Sequence, residues 1–124
     1  MYNDKVMEAF AHPKNVGFIE DNDGVGKVGN PSCGDIMEIS LKIKDDVIVD
    51  AKFRTFGCAA AIATSSTATD MIIGMKVEDA LKISNKKVVE VLEGLPPQKI
   101  HCSVLAEEAI KKAIEDYQSR KANN

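Results

Sequence analysis

The chain has no tryptophan, only two tyrosines and four phenylalanines, and no surplus of basic residues, its formal charge being -3. A protein that follows a phosphate backbone and stacks on bases needs a positive face and aromatic platforms, so nucleic acid is not an expected partner. No stretch approaches the roughly 20 apolar residues of a membrane span, and the start, Met1-Tyr2-Asn3-Asp4-Lys5, lacks the apolar core of an export signal. A cytoplasmic protein with no membrane partner is expected. Cysteine is scarce and odd in number, three in 124 residues. That is wrong for a disulfide framework and fits thiols kept reduced for metal binding or chemistry.

What is there suffices for one domain over residues 1–124: 44% of the residues are apolar, enough for a core without staples. Tyr2 to Phe10 reads as a short helix stopped at His12-Pro13, part of a mobile N-terminal arm over 1–15. Gly17, Asp21-Asn22-Asp23-Gly24, Gly26 and Gly29 mark turns around an edge strand near Val25 to Val28, with little sign of a buried element. From Met37 to Ile43 apolar and polar residues alternate, with Met37, Ile39, Leu41 and Ile43 on one face. Asp45-Asp46 turns the chain into a second strand, Val47 to Thr55, with Val49, Ala51 and Phe53 inward, so the two make an antiparallel hairpin.

Helical patterns follow. A small-residue helix runs from Ala59 to Gly74, and two shorter amphipathic ones cover Val77 to Leu81 and Lys86 to Leu92. Leu95-Pro96-Pro97 interrupts regular structure. A last helix from about Cys102 to Gln118 places Ala106, Ile110, Ala113 and Tyr117 on one side, and a polar tail over 119–124 ends the chain.

Each cysteine stands where sulfur is exposed or activated. Cys33, in Cys33-Gly34-Asp35, sits where the first long strand begins, so sulfur and carboxylate emerge together. Cys58 ends the hairpin just before a helix, where unpaired N–H groups and the helix dipole favour thiolate, and Cys102 gains the same help at the last helix. Pairing of the two long strands brings Cys33 near Cys58. Three thiolates are one short of a closed four-cysteine site, as suits a centre that is assembled and released. Asp35 is a harder, weaker donor for sulfur-rich iron, and His101 is the competing fourth ligand or a proton carrier. His12 has no such company and reads as a loop residue.

Three segments carry a resemblance: Gly29-Asn30-Pro31-Ser32-Cys33-Gly34-Asp35; Phe53-Arg54-Thr55-Phe56-Gly57-Cys58 followed by Ala-Ile-Ala-Thr-Ser-Ser; and Leu95-Pro96-Pro97-Gln98-Lys99-Ile100-His101-Cys102-Ser103. Together they resemble the IscU/NifU-type iron-sulfur cluster scaffold proteins, over about Lys5 to Tyr117. The resemblance implies an α+β, SufE/NifU-like domain with a small three-stranded antiparallel sheet packed against helices. On it a [2Fe-2S] cluster would be built from iron and from sulfide supplied by a cysteine desulfurase, then passed to apo iron-sulfur recipient proteins. The ligands implied are Cys33, Cys58 and Cys102, with Asp35 or His101 as alternatives and Asp35 tied to release. Zinc can take the cluster's place, and the sulfur acceptor is Cys102 or else Cys33. Leu95, Pro96, Pro97, Gln98 and Lys99 look like the segment an Hsp70-type chaperone recognises. Ferredoxin and a second copy of the chain complete the implied partners. In two places the chain departs from the pattern: Gln98 stands where Val is usual, and Ala59-Ala60 replace the common Gly-Ser, which stiffens the helix start.

Two other readings compete with a non-catalytic scaffold. A zinc-dependent sulfur acceptor of SufU type would carry an insertion between its second and third cysteines and lack the histidine before the third. Here there is no insertion and His101 is present. A Cys-His hydrolase would need an oriented base and an oxyanion hole, and no nucleophile motif supplies them.

Overall fold

The alternation in Met37 to Ile43 becomes the middle strand of a three-stranded antiparallel sheet ordered β1-β2-β3, with β1 Gly24–Asn30, β2 Asp35–Lys44 and β3 Val47–Phe56. Residues 2–30 and 35–123 are described by the computed structural model; Cys33, and the side chains of Asn30 and Asp35, fall outside that description. Asp45 and Asp46 both take positive φ, 54° and 61°, the paired left-handed conformation of a tight hairpin turn that Asp tolerates.

Met37, Ile39, Leu41 and Ile43 are buried as expected, but β3 departs from simple alternation. Leu41 pairs with Ala51 and Lys42 with Asp50, yet Ile43 pairs with Ile48, so Val49 is an extra residue in a β-bulge. The bulge turns Val49 outward, 49% exposed, and sends Ile48 into the core. The inward placement expected for Val49 is thereby corrected; Ala51 and Phe53 are inward as read.

Helices cover one face. α2, Ala59–Ile72, buries alanine, serine and threonine almost throughout, and its buried hydroxyls are satisfied locally. Ser65 donates to the Ala61 carbonyl at 2.7 Å and Thr69 to the Ser65 carbonyl at 2.7 Å. Two short helices, α3 Val77–Ala80 and α4 Asn85–Val91, lead to a 3-10 turn, Pro97–Lys99, and then to α5, Ile100–Ala122. α5 lies directly on β1 because Gly24 and Gly26 offer no side chain. A Cβ on Gly26 would stand 2.1 Å from the Ala109 carbonyl oxygen, and one on Gly24 2.2 Å from that of Ala113. Glycine-rich β1 is thus a packed strand, which the run of turn residues had hidden. The expected polar tail is helical through Ala122, held by Arg120 on Asp116 at 2.8 Å and Lys121 on Asp46 at 3.1 Å.

Both sheet margins are occupied in part. On the β1 side the Val25 N–H donates to Asp116 Oδ2 at 2.9 Å. On the β3 side the Ile48 N–H donates to the Met75 carbonyl and receives Gly74 N–H on its own. Phe53 exchanges bonds with Asn15 and Gly17 in the same way, at 2.8 and 2.9 Å. Ile19 N–H reaches Ser40 Oγ at 3.0 Å, so the 14–22 segment covers part of the outer face and buries both residues. Phe18 stacks under the Arg54 guanidinium, 4.3 Å from its centroid, while Arg54 pairs with its cross-strand partner Glu38. The N-terminal arm, read as mobile, is docked: α1, Asp4–Ala11, lies on α2 with Val6 fully buried.

Candidate metal centre

Cys58 and Cys102 meet at one end of the sheet. β3 ends at Phe56, and Cys58 is the N-cap of α2 in extended conformation, φ -80° and ψ 179°. Cys102 stands in the first turn of α5, fully buried, and the two sulfurs lie 3.7 Å apart. That separation is too long for a disulfide and short enough for a thiol to hydrogen-bond a thiolate. Sequence reasoning left the approach of Cys102 to Cys58 open; the fold supplies it by crossing the starts of α2 and α5.

Several influences act on Cys58. Burial, the largest, pushes its thiol up. The Ala61 N–H, the Cys102 thiol, the Ala60 N–H and the Lys99 ammonium together outweigh it, so the pKa is lowered. No formal capping hydrogen bond reaches the sulfur, so the helix-start N–H groups act mainly as dipoles facing it. A depressed pKa means that the thiolate's contribution to stability is present above the unfolded value, about 8.5, and is lost as pH falls through the folded one. In reduced, metal-free protein, thiolate absorbance is therefore expected to show a step below the ordinary thiol range that Cys58→Ser removes. A first step at or above that range would contradict this account.

His101 is held beside the pair. Its Nδ1 lies 3.1 Å from the Gln98 carbonyl oxygen, which can only accept, so Nδ1 donates there and the ring is turned to put Nε2 3.6 Å from Cys102 Sγ. The imidazole is thereby oriented to take the Cys102 proton or to serve as a nitrogen donor. Asp35, the first residue of β2, pairs with Asn30, and Ile36 pairs with Phe56, so this corner of the sheet lies at the end where β3 runs on to Cys58. Among the described residues no three His, Cys, Asp or Glu side chains are grouped to hold an ion.

Motif reading did not single out Tyr2, whose hydroxyl pKa is raised by burial first and then by Cys58, or Lys99 as a charge acting on that thiol. For Tyr2 the only available signal was Asn3, a favoured helix cap. Phe56, 76% exposed beside this corner, is a large apolar side chain left in the open. No helix among the described residues is long and apolar enough to cross a membrane.

A three-stranded antiparallel sheet backed by helices, with two thiols 3.7 Å apart at the starts of two helices, defines a small α+β domain with a paired-thiol corner. The chain belongs to the NifU-like N-terminal domain family, whose model matches residues 1–124. It is 62% identical over 117 residues to an iron-sulfur cluster assembly scaffold protein, IscU 1, of Archaeoglobus fulgidus, covering 94% of this chain and 76% of that one. To the IscU scaffold protein of Escherichia coli K12 it is 48% identical over 124 residues, covering 97% and 96%. A crystal structure from Fervidobacterium islandicum, assigned as a cluster assembly scaffold for the SUF system, superposes with a TM-score of 0.75 at 25% identity, covering 91% and 96%.

Proposed function

We infer that this protein is a scaffold on which iron-sulfur clusters are assembled and from which they are handed to apo-proteins. The 3.7 Å contact between Cys58 and Cys102 carries this reading, because it sets two soft donors side by side at helix starts. The relatives named as cluster assembly scaffolds support it. The protein supplies ligands and an electrostatic setting, and no turnover chemistry of its own. Its cargo is a [2Fe-2S] cluster gripped by Cys33, Cys58 and Cys102, with zinc able to occupy the same thiols. By sequence Cys33 falls in the 31–34 connection between the paired ends Asn30 and Asp35. Asp35 or His101 completes the set, and Asp35 is the oxygen donor whose weaker hold on iron favours release.

Sulfur arrives from a cysteine desulfurase. The thiolate of Cys102, or else of Cys33, attacks the outer sulfur of the desulfurase persulfide, and the desulfurase cysteine leaves as thiolate. His101 Nε2 is placed to take the Cys102 proton beforehand. Freeing that sulfur as sulfide takes two electrons, which ferredoxin supplies. The Leu95–Lys99 segment offers a grip for an Hsp70-type chaperone. Because the Gln98 carbonyl orients His101, pulling the segment straight disturbs the site directly. Reduced thiols fit a cytoplasmic setting.

Anaerobic reconstitution with iron, sulfide and reductant is expected to give a visible charge-transfer spectrum with about two irons and two sulfides per site. One tightly held zinc with no acid-labile sulfide would instead select the sulfur-acceptor reading.

A further inference from the structure

On the sheet face turned away from the helices, side chains line up in cross-strand rows. The row Val25–Ser40–Lys52 runs under the 14–22 segment, where Ile19 N–H bonds Ser40. Two further rows, Lys27–Glu38–Arg54 and Gly29–Ile36–Phe56, lie toward the sulfur end. Phe56 is 76% exposed, and Lys27 and Arg54 are exposed as well. A depression of about 220 Å³ is lined by Lys27, Ile36, Glu38, Arg54, Thr55 and Phe56. A second, of about 310 Å³, shares Lys27 and Ile36 and reaches Glu108 and Lys112 on α5, so the two form one trough. Its charges are unevenly spent. Glu38 accepts from Arg54 Nε at 2.8 Å and keeps 17% of its side chain exposed, which turns its carboxylate into the face. Among the described residues Lys27 and Lys112 enter no ion pair. Three exposed cations, Lys27, Arg54 and Lys112, thus stand around an apolar row against one exposed carboxylate, Glu108, in a chain of formal charge -3. Such a surface is complementary to one of the reverse sign.

We propose that this trough is the docking site for a partner protein that presents carboxylates around a bulky apolar side chain. The apolar group seats against Ile36 and Phe56, and the carboxylates meet Lys27, Lys112 and Arg54. The test uses the full chain, reduced and metal-free, so its failure would leave the scaffold reading standing, and the reverse. The probe is a fluorescein-labelled peptide, Asp-Glu-Phe-Asp-Glu-Leu-Asp-Glu, blocked at both ends, with its counterpart Lys-Lys-Phe-Lys-Lys-Leu-Lys-Lys as control. By fluorescence anisotropy the acidic peptide is expected to bind at least about tenfold more tightly than the basic one. Lys27→Glu and Phe56→Ser, both at exposed positions that leave the core untouched, should each weaken it about tenfold. Lys86→Glu changes the net charge equally but lies on α4, on the helical face, and should cost less than about twofold. Amide shifts in the labelled chain should gather on the Lys27 and Ile36 rows. Equal affinity for the two peptides, an equal loss in Lys86→Glu, or shifts gathered elsewhere would each overturn the proposal. So would self-association that Phe56→Ser abolishes while the acidic peptide fails to bind, since the face would then belong to a second copy.

Discussion

Cys102→Ser is expected to reduce the iron and sulfide retained after anaerobic reconstitution by at least about tenfold, since losing even an outer partner of a metal ligand costs that much. The substitution changes one atom. Serine is well tolerated in the first turn of a helix, and the site it enters is already polar, with Cys58 Sγ at 3.7 Å and His101 Nε2 at 3.6 Å from the present sulfur. Thermal stability should therefore stay close to that of the parent, which separates loss of a ligand from loss of the fold. Cys58→Ser should behave alike. His101→Ala leaves both described sulfurs in place and should have the smaller effect. Retention of full iron and sulfide by Cys102→Ser would show that the cluster is built elsewhere.

Gly26→Ala is expected to destabilise the protein by about 3 kcal/mol, the upper part of the range for overpacking. The added carbon would meet the Ala109 carbonyl oxygen at 2.1 Å and the Ala113 nitrogen at 2.5 Å. Both are backbone atoms of a helix, so no side chain can swing away and α5 must lift from β1. Its first turn carries Cys102, so the same lift moves a sulfur away from Cys58. A lower urea midpoint should come with weaker cluster retention. An unchanged midpoint would show that helix and strand do not touch there.

Much of this could be read from the chain. Strict alternation fixed β2 and its buried face, the Asp45-Asp46 pair located the hairpin turn, and the segment before Cys102 marked a break and a helix start. What escaped was set by neighbours rather than by local pattern. Val49 fits an alternating strand, and only the register shift against Lys42 and Ile43 turns it outward. Gly24 and Gly26 read as turn residues because the close approach of α5 leaves no trace in β1 itself. The contact between Cys58 and Cys102 joins residues 44 positions apart and depends on how α2 and α5 cross, which periodicity does not encode. Asn3 bonds carbonyls some 90 residues away, a pairing without local signature.

The occupied sheet margins limit how two copies can meet. Asp116 fills the Val25 N–H on one side, and on the other Ile48 and Phe53 are bonded to Met75, Gly74, Asn15 and Gly17. A second chain therefore finds no open strand at those positions on which to extend the sheet, and the ladder growth that leads to fibrils is blocked there. What such contacts leave is side-chain surface, where Phe56 at the sulfur end is the most exposed large apolar side chain among the described residues. Copies meeting through that side chain would place the Cys58–Cys102 corner beside their junction, so anything reaching the two sulfurs would compete with the second copy for room.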